Sequence, residues 1–234
     1  MEKEKKVKDV DFADSTVPAS ARKNVVTMFM IMLGFTFFSA SMWVGQQLAD
    51  GLDFWGFLGS LILGGIILGI YTGLLGYVGA KTGLSLDLLS QRAFGEKGSY
   101  LPSAMTSFTQ IGWFGVGSFV SGGTATPNFA RFARNGKAGA ITTIVAFFIG
   151  NSLMFFFGAV SSIFVGGNDI FEVMVRLNLF YLAVLVLGLN IWTTNDNALY
   201  TAGLGLANIF HQRKKPMVLL SGIIGTVASV WLYY

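Results

Sequence analysis

The sequence predicts an all-α integral membrane protein, and three observations carry that prediction. Of its 234 residues, 53% are hydrophobic and only 12% charged, roughly half the charged share of a soluble domain. Its uncharged stretches are long enough to cross a bilayer, whose core of about 30 Å takes about 20 helical residues. Its basic residues gather before the first stretch and at three of the joins between stretches, the clustering expected of a chain threaded through a membrane. The same composition excludes a disordered chain, a nucleic-acid-binding module and an ordinary cytosolic enzyme. There is no cysteine, hence no disulfide frame, thiolate metal site or cysteine nucleophile.

Residues 1–23 hold eleven charges and read as a flexible cytosolic tail. The apolar run after them begins too late and runs too long for a cleaved signal peptide. Six uncharged stretches follow: 24–49, 54–80, 98–130, 138–168, 177–195 (continuing past Asp196 to 212) and 216–234. Residues 24–234 therefore form one transmembrane domain of about six hydrophobic segments. With the N-terminus and the joins at 81–97, 131–137 and 211–215 on the cytoplasmic side, 15 of the 16 basic residues lie inside, and only Arg176 lies outside.

The first segment contains GFTFFSAS at 34–41. Its hydroxyls, Thr36, Ser39 and Ser41, either bond to carbonyls one turn back or mark a break in the helix. The second carries Gly65, Gly69 and Gly73 at four-residue spacing, with Gly76 and Gly79 beyond. Such a stripe serves close helix packing more readily than ligand binding. Residues 84–98 form a short amphipathic segment expected at the inner membrane surface. The third hydrophobic stretch is anomalous. It is too long for one crossing and too short for two, and basic residues bound it at both ends: Lys97 before, and Arg131, Arg134 and Lys137 after. It is either a re-entrant hairpin or the join of two segments once separated by further helices.

That stretch ends in GSFVSGGTATP, 117–127, poor helix in any setting. At membrane depth its freed backbone groups must be buried in protein or line a wet cavity, as in the discontinuous helices of secondary transporters. The alternative is a surface turn at Pro127. The fifth stretch carries GLNIWTTNDNALY at 188–200, the densest polar cluster in the apolar part of the chain. Asp196 within it is either an intramembrane functional carboxylate or an interfacial residue bonded to its neighbours. No acid–base pair, nucleophile or metal-ligand cluster is present, and His211 stands beside Arg213 and Lys214 in an interfacial loop. The chain reads as a non-enzyme that needs no organic cofactor.

Several long motifs then carry a resemblance: VPASARKN, LGFTFFSASMW, YTGLLGYVGAKTGLSLDLLSQRAFG, TQIGWFGVG, SFVSGGTATPNFARFARNGK, FFIGNSLMFFFGA and LGLNIWTTNDNALYTAGLGLANI. From Val17 to Tyr234 the sequence resembles nucleobase:cation symporter family one, the family of the cytosine permeases. The resemblance implies a LeuT-like inverted-repeat transporter fold, here partial, with discontinuous helices. Residues up to about 116 correspond to helices one to three, and residues from about 117 to a broken sixth helix and then seven to nine. Helices four, five and the last three have no counterpart, so a seam is expected near 116–117.

Function follows from the same resemblance: sodium-coupled uptake of cytosine across the cytoplasmic (inner) membrane. The alternative is a transport-dead shortened homologue or fragment that binds nucleobases or assembles in the membrane. By motif, Trp113 and Phe119 would stack on the base, Gln110 would offer it an amide edge, and backbone groups near Gly117 and Ser118 would complete its hydrogen bonds. Sodium would take the carbonyls of Gly34, Phe38 and Asn190 and the hydroxyls of Thr193 and Thr194. The implied partners are cytosine or a close pyrimidine analogue, sodium and the lipid bilayer, with no nucleic acid.

Overall fold

The computed structural model describes residues 12–37, 39–113, 124–166 and 170–233. The described residues form helices and no strand, apart from one isolated bridge between Lys23 and Ala133. Helix α1 (Val25–Thr36) starts where the side chain of Asn24 accepts from Thr27 N. Helix α2 (Ser39–Gly51) follows, and from Ser41 its axis departs from that of α1 by 59°. Asp53 caps α3 (Phe54–Thr82) by accepting from Gly56 N. Gly83, in the left-handed region at φ 70°, then turns the chain into α4 (Leu86–Gly98), which bends at Gly95. Helix α5 (Tyr100–Trp113), the short α6 (Thr126–Ala130), α7 (Gly136–Val165), α8 (Ile170–Arg176), α9 (Phe180–Phe210) and α10 (Lys214–Tyr233) complete the order.

Helices α3 and α7 are each long and apolar enough to cross a membrane, and the bent α1–α2 pair makes a third span if taken as one. Six uncharged segments are expected from the sequence. Helix α9 has the length, at 31 residues, but its polar cluster interrupts the apolar run, and the described part of α5 runs to Trp113.

Helix α3 shows why this is a multi-pass membrane protein. Leu63, Ile67, Ile70 and Leu74 form one exposed face, while the glycine stripe faces α6 and α7. A Cβ on Gly65 would meet the Phe148 ring, on Gly76 the carbonyl of Gly139, and on Gly79 the Cα of Pro127. Large apolar groups outside and glycines inside reverse the soluble-helix pattern and suit a lipid surround. The stripe is a packing face, as its spacing predicts.

Close approaches also seat α1 and α2 on α7: Gly150 lies against Thr36, and Gly158 against the carbonyl of Met42. Met28, Met32 and Phe147 form the core of this group. A second group packs α5 on α9 and α10, around Ile111, Ala202 and Leu206.

The basic residues that the structure describes collect at one end of the molecule, with Arg176 at the other. Leu86 N donates to Asn128 Oδ1 across 2.8 Å, so the start of α4 and helix α6 share that end. The stretch from 98 to 130 thus begins and finishes on the same side. Residues 12–23, expected as a flexible tail, are docked there instead. Val17 is buried and its N–H donates to Gly83 O, Lys23 N donates to Phe132 O, and Arg22 Nη1 donates to Ala80 O. Helix α4 forms as expected, but its buried positions include the polar Asp87 and Ser90, which turn toward protein.

Candidate functional site

The site is built on the break between α1 and α2. A helix that stops leaves its last carbonyls without intrahelical donors. Asn190 of α9 answers one of them: its Nδ2 donates to Phe37 O at 2.8 Å. This bond joins the broken end of α1 to the polar turn of α9, two regions far apart in sequence. On α9 itself, Thr194 Oγ1 donates to Asn190 O at 2.9 Å, the bond to a carbonyl one turn back that helical threonines commonly make. Thr36 behaves likewise, donating to Leu33 O. Gly34 is exposed on α1, with nothing within 4 Å of a Cβ built there.

Of the residues implied for sodium, Gly34, Asn190 and Thr194 are therefore found about the break. Phe38 and the side chain of Thr193 lie outside the described residues. Of those implied for the base, Gln110 is buried on α5. The side chain of Trp113, and Gly117, Ser118 and Phe119 entirely, lie outside the described residues. The backbone still places position 113. Ser107 Oγ donates to Ala202 O at 3.0 Å, and α5 and α9 run in opposite directions. Equal rise along the two helices brings position 113, six residues past Ser107, level with the α9 turn that carries Asp196 and lies next to Thr194.

Two polar groups on α2 stand out, Ser41 of the hydroxyl run read in the sequence and Gln46, which was not singled out there. Ser41 and Gln46 are each buried to 1%, and the Ser41 hydroxyl and both amide atoms of Gln46 have no hydrogen-bond partner among the described residues. Buried polar atoms normally find partners, so these unmet ones are exceptions on the face of α2 that packs on α7, where Gly45 lies against the Phe155 backbone. The Gln46–Gln47 pair in an uncharged run was the available signal.

The basic end is held by a polar network. Ser103 Oγ donates to Asp87 Oδ1 at 2.6 Å, Asn208 Nδ2 donates to Ser103 Oγ at 2.7 Å and to Ser99 Oγ at 3.0 Å, and Gln91 Nε2 donates to Asn208 Oδ1. Burial raises the pKa of Asp87, opposed by the Ser103 hydrogen bond and by the charge of Arg131. Arg131 is fully buried and donates to Phe12 O, Asn128 O and Tyr200 Oη. It ties the docked N-terminal segment, α6 and α9 together. His211 sits at this surface, its Nε2 2.7 Å from Tyr100 Oη and 3.5 Å from Glu96. Asp196 is exposed and lines a groove near this end.

Carbonyls, amides and hydroxyls at a helix break can hold a hard cation and a neutral polar solute. They offer no acid or nucleophile for bond cleavage.

The chain matches the protein family described as permease for cytosine/purines, uracil, thiamine, allantoin, over residues 16–126 and again over 116–234. It is 38% identical to the cytosine permease of Escherichia coli (strain K12) over 315 aligned positions, covering 96% of this chain and 75% of that protein. The cytosine permease of Escherichia coli O157:H7 matches to the same extent. The allantoin permease of Bacillus subtilis (strain 168) is 34% identical over 82 residues, 35% of this chain and 16% of that protein. The 315 aligned positions outnumber the 234 residues of the chain, so the match includes gaps in this chain.

Proposed function

Because this chain belongs to the family of permeases for cytosine/purines, uracil, thiamine and allantoin, we propose that it carries a nucleobase, cytosine first, across the cytoplasmic membrane together with sodium. The relatives are permeases, transporters rather than enzymes, in line with the lack of catalytic groups in the sequence. The observation that carries the site is the Asn190–Phe37 hydrogen bond. It gathers the carbonyl end of α1 and the Asn190–Thr194 turn of α9 in one place, the oxygen-rich setting a sodium ion needs. The Thr194 hydroxyl donates its proton to Asn190 O, which leaves its lone pairs able to face an ion. Position 113, level with the neighbouring turn, sets the stacking surface for the base beside that ion.

A LeuT-like arrangement is supported by the two packed groups: the bent α1–α2 pair with α3, α6 and α7, against α5, α9 and α10. The seam near 116–117 is supported by the family match, which divides into two stretches overlapping at 116–126. The basic end faces the cytoplasm in this reading, following the positive-inside rule.

The test is uptake of labelled cytosine into proteoliposomes with and without an inward sodium gradient. Gradient-dependent accumulation is expected. Sodium-dependent binding without uptake would favour the shortened, transport-dead alternative, for which the alignment gaps are the specific observation. Replacing Thr193→Ala together with Thr194→Ala should abolish the sodium dependence while leaving weak cytosine binding. A full sodium response in that double variant would move the ion site elsewhere, with Asp196 the next residue to test.

A further inference from the structure

A groove of about 740 Å³ opens at the basic end between α1, α6, α9 and α10. We propose that it binds the headgroup and upper acyl chains of an anionic phospholipid. Lys23, Lys214 and Lys215 line it, against the single carboxylate of Asp196, so its charge is that of an anion site. Lys214 Nζ stands 4.8 Å from the Tyr200 ring centre, which holds one ammonium in place, while Lys23 and Lys215 are exposed. Asn128 adds a directed donor. It also lines the groove, it is buried to 1%, and its Oδ1 is engaged by Leu86 N, which fixes the amide orientation. Its Nδ2 has no hydrogen-bond partner among the described residues. Three ammonium groups and a spare N–H are the partners a phosphodiester calls for.

The rest of the groove separates a lipid from a soluble anion. Ile31, Phe129, Phe132 and Leu219 give it apolar walls. Leu219 is 69% exposed, and Ile223, one helical turn further along α10, is 62% exposed, so the wall continues into the apolar outer face of α10. A ligand with its charge at the basic end and hydrocarbon along that face fits both parts. Basic pockets between transmembrane helices at the cytoplasmic surface are recognised lipid-headgroup sites. The groove takes in Asp196 but none of the residues implied for sodium or the base, so lipid binding there can be measured apart from transport.

The experiment titrates phosphatidylglycerol into the purified full chain in neutral detergent and reads lipid-bound protein by native mass spectrometry. Parallel arms use phosphatidylcholine with the same acyl chains and inorganic phosphate. One bound phosphatidylglycerol is expected, with phosphatidylcholine and phosphate each binding at least about tenfold more weakly. The K23Q/K215Q variant changes only exposed side chains and should lose about tenfold or more in phosphatidylglycerol affinity, given about 1 kcal/mol per basic residue near an anionic lipid. K97Q/K137Q, at the same end outside the groove, should lose little. Equal binding of phosphatidylcholine, equal binding of free phosphate, an unaffected K23Q/K215Q, or an equal loss in K97Q/K137Q would each overturn the proposal.

Discussion

In the proposed site Trp113 is the stacking residue: the family resemblance implies that role, and the Ser107–Ala202 bond sets the level of position 113 against α9. Stacking of a base on an aromatic is worth about 1–3 kcal/mol, so Trp113→Ala should weaken cytosine binding about tenfold or more. Unchanged affinity in a folded variant, measured by equilibrium binding, would remove it from the site. Asp87 gives a second prediction at this scale. Burial raises its pKa above the usual carboxylate range, so as pH falls through that raised value the folded state takes up a proton before the unfolded chain does. Stability from this group therefore rises on acidification and is lost as pH increases through the folded pKa. Asp87→Asn keeps an acceptor for Ser103 and removes the buried charge. The variant should be the more stable form at pH 8 and show a flatter dependence of Tm between pH 4 and 8. An identical pH profile would mean that another group sets it. Neither the Asp87 network nor the Asn190–Phe37 bond was legible in the sequence. Their partners lie on different helices, and no local periodicity brings Asn190 to Phe37 across 153 positions.

Helices were easier to read because their signals are local. The glycine stripe of α3 announced its packing face, while the Gly34-led run of hydroxyls left two readings open and both are seen, the Thr36 bond back to Leu33 O and a bend of 59°. The docked segment at 12–23 was hidden for the opposite reason. Its charge density is that of a solvated tail, and what holds it are backbone bonds such as Val17 N to Gly83 O and Lys23 N to Phe132 O, which leave no trace in residue type. The stripe supports a paired test within one helix. Gly76 faces α7 with the Gly139 carbonyl 3.0 Å from a built Cβ, whereas Gly64 has nothing within 4 Å. Gly76→Leu should destabilise by about 1–3 kcal/mol or more through overpacking, and Gly64→Leu should be near neutral. Thermal unfolding in detergent reads both. Equal Tm values would show that α3 and α7 are not packed through the stripe.

Taken whole, the molecule is polarised along its length. The docked N-terminal segment, the start of α4, α6, the end of α9 and the start of α10 crowd one end with basic side chains. The turn between α2 and α3, carrying Asp50 and Asp53, occupies the other, where Ser162 Oγ donates to Asp50 Oδ1 at 3.3 Å. The charge pattern asks both ends of the stretch 98–130 to lie on one side. The contacts of Asn128 with Leu86 and of Arg131 with Tyr200 place both ends of that stretch at the basic end. Which side of the membrane the basic end faces is then a single binary question, and the Cys-free sequence is a ready background for it. Arg134 is exposed at the basic end, and Leu52 is exposed in the opposite turn. With the basic end cytoplasmic, Arg134→Cys in intact cells should resist an impermeant thiol reagent until the membrane is permeabilised, while Leu52→Cys should react at once. The reverse pattern would place the N-terminus outside. Reaction of both from outside would break the shared-end geometry itself, because Arg134 lies only three residues beyond Arg131, whose guanidinium is bonded to Phe12 O and Tyr200 Oη.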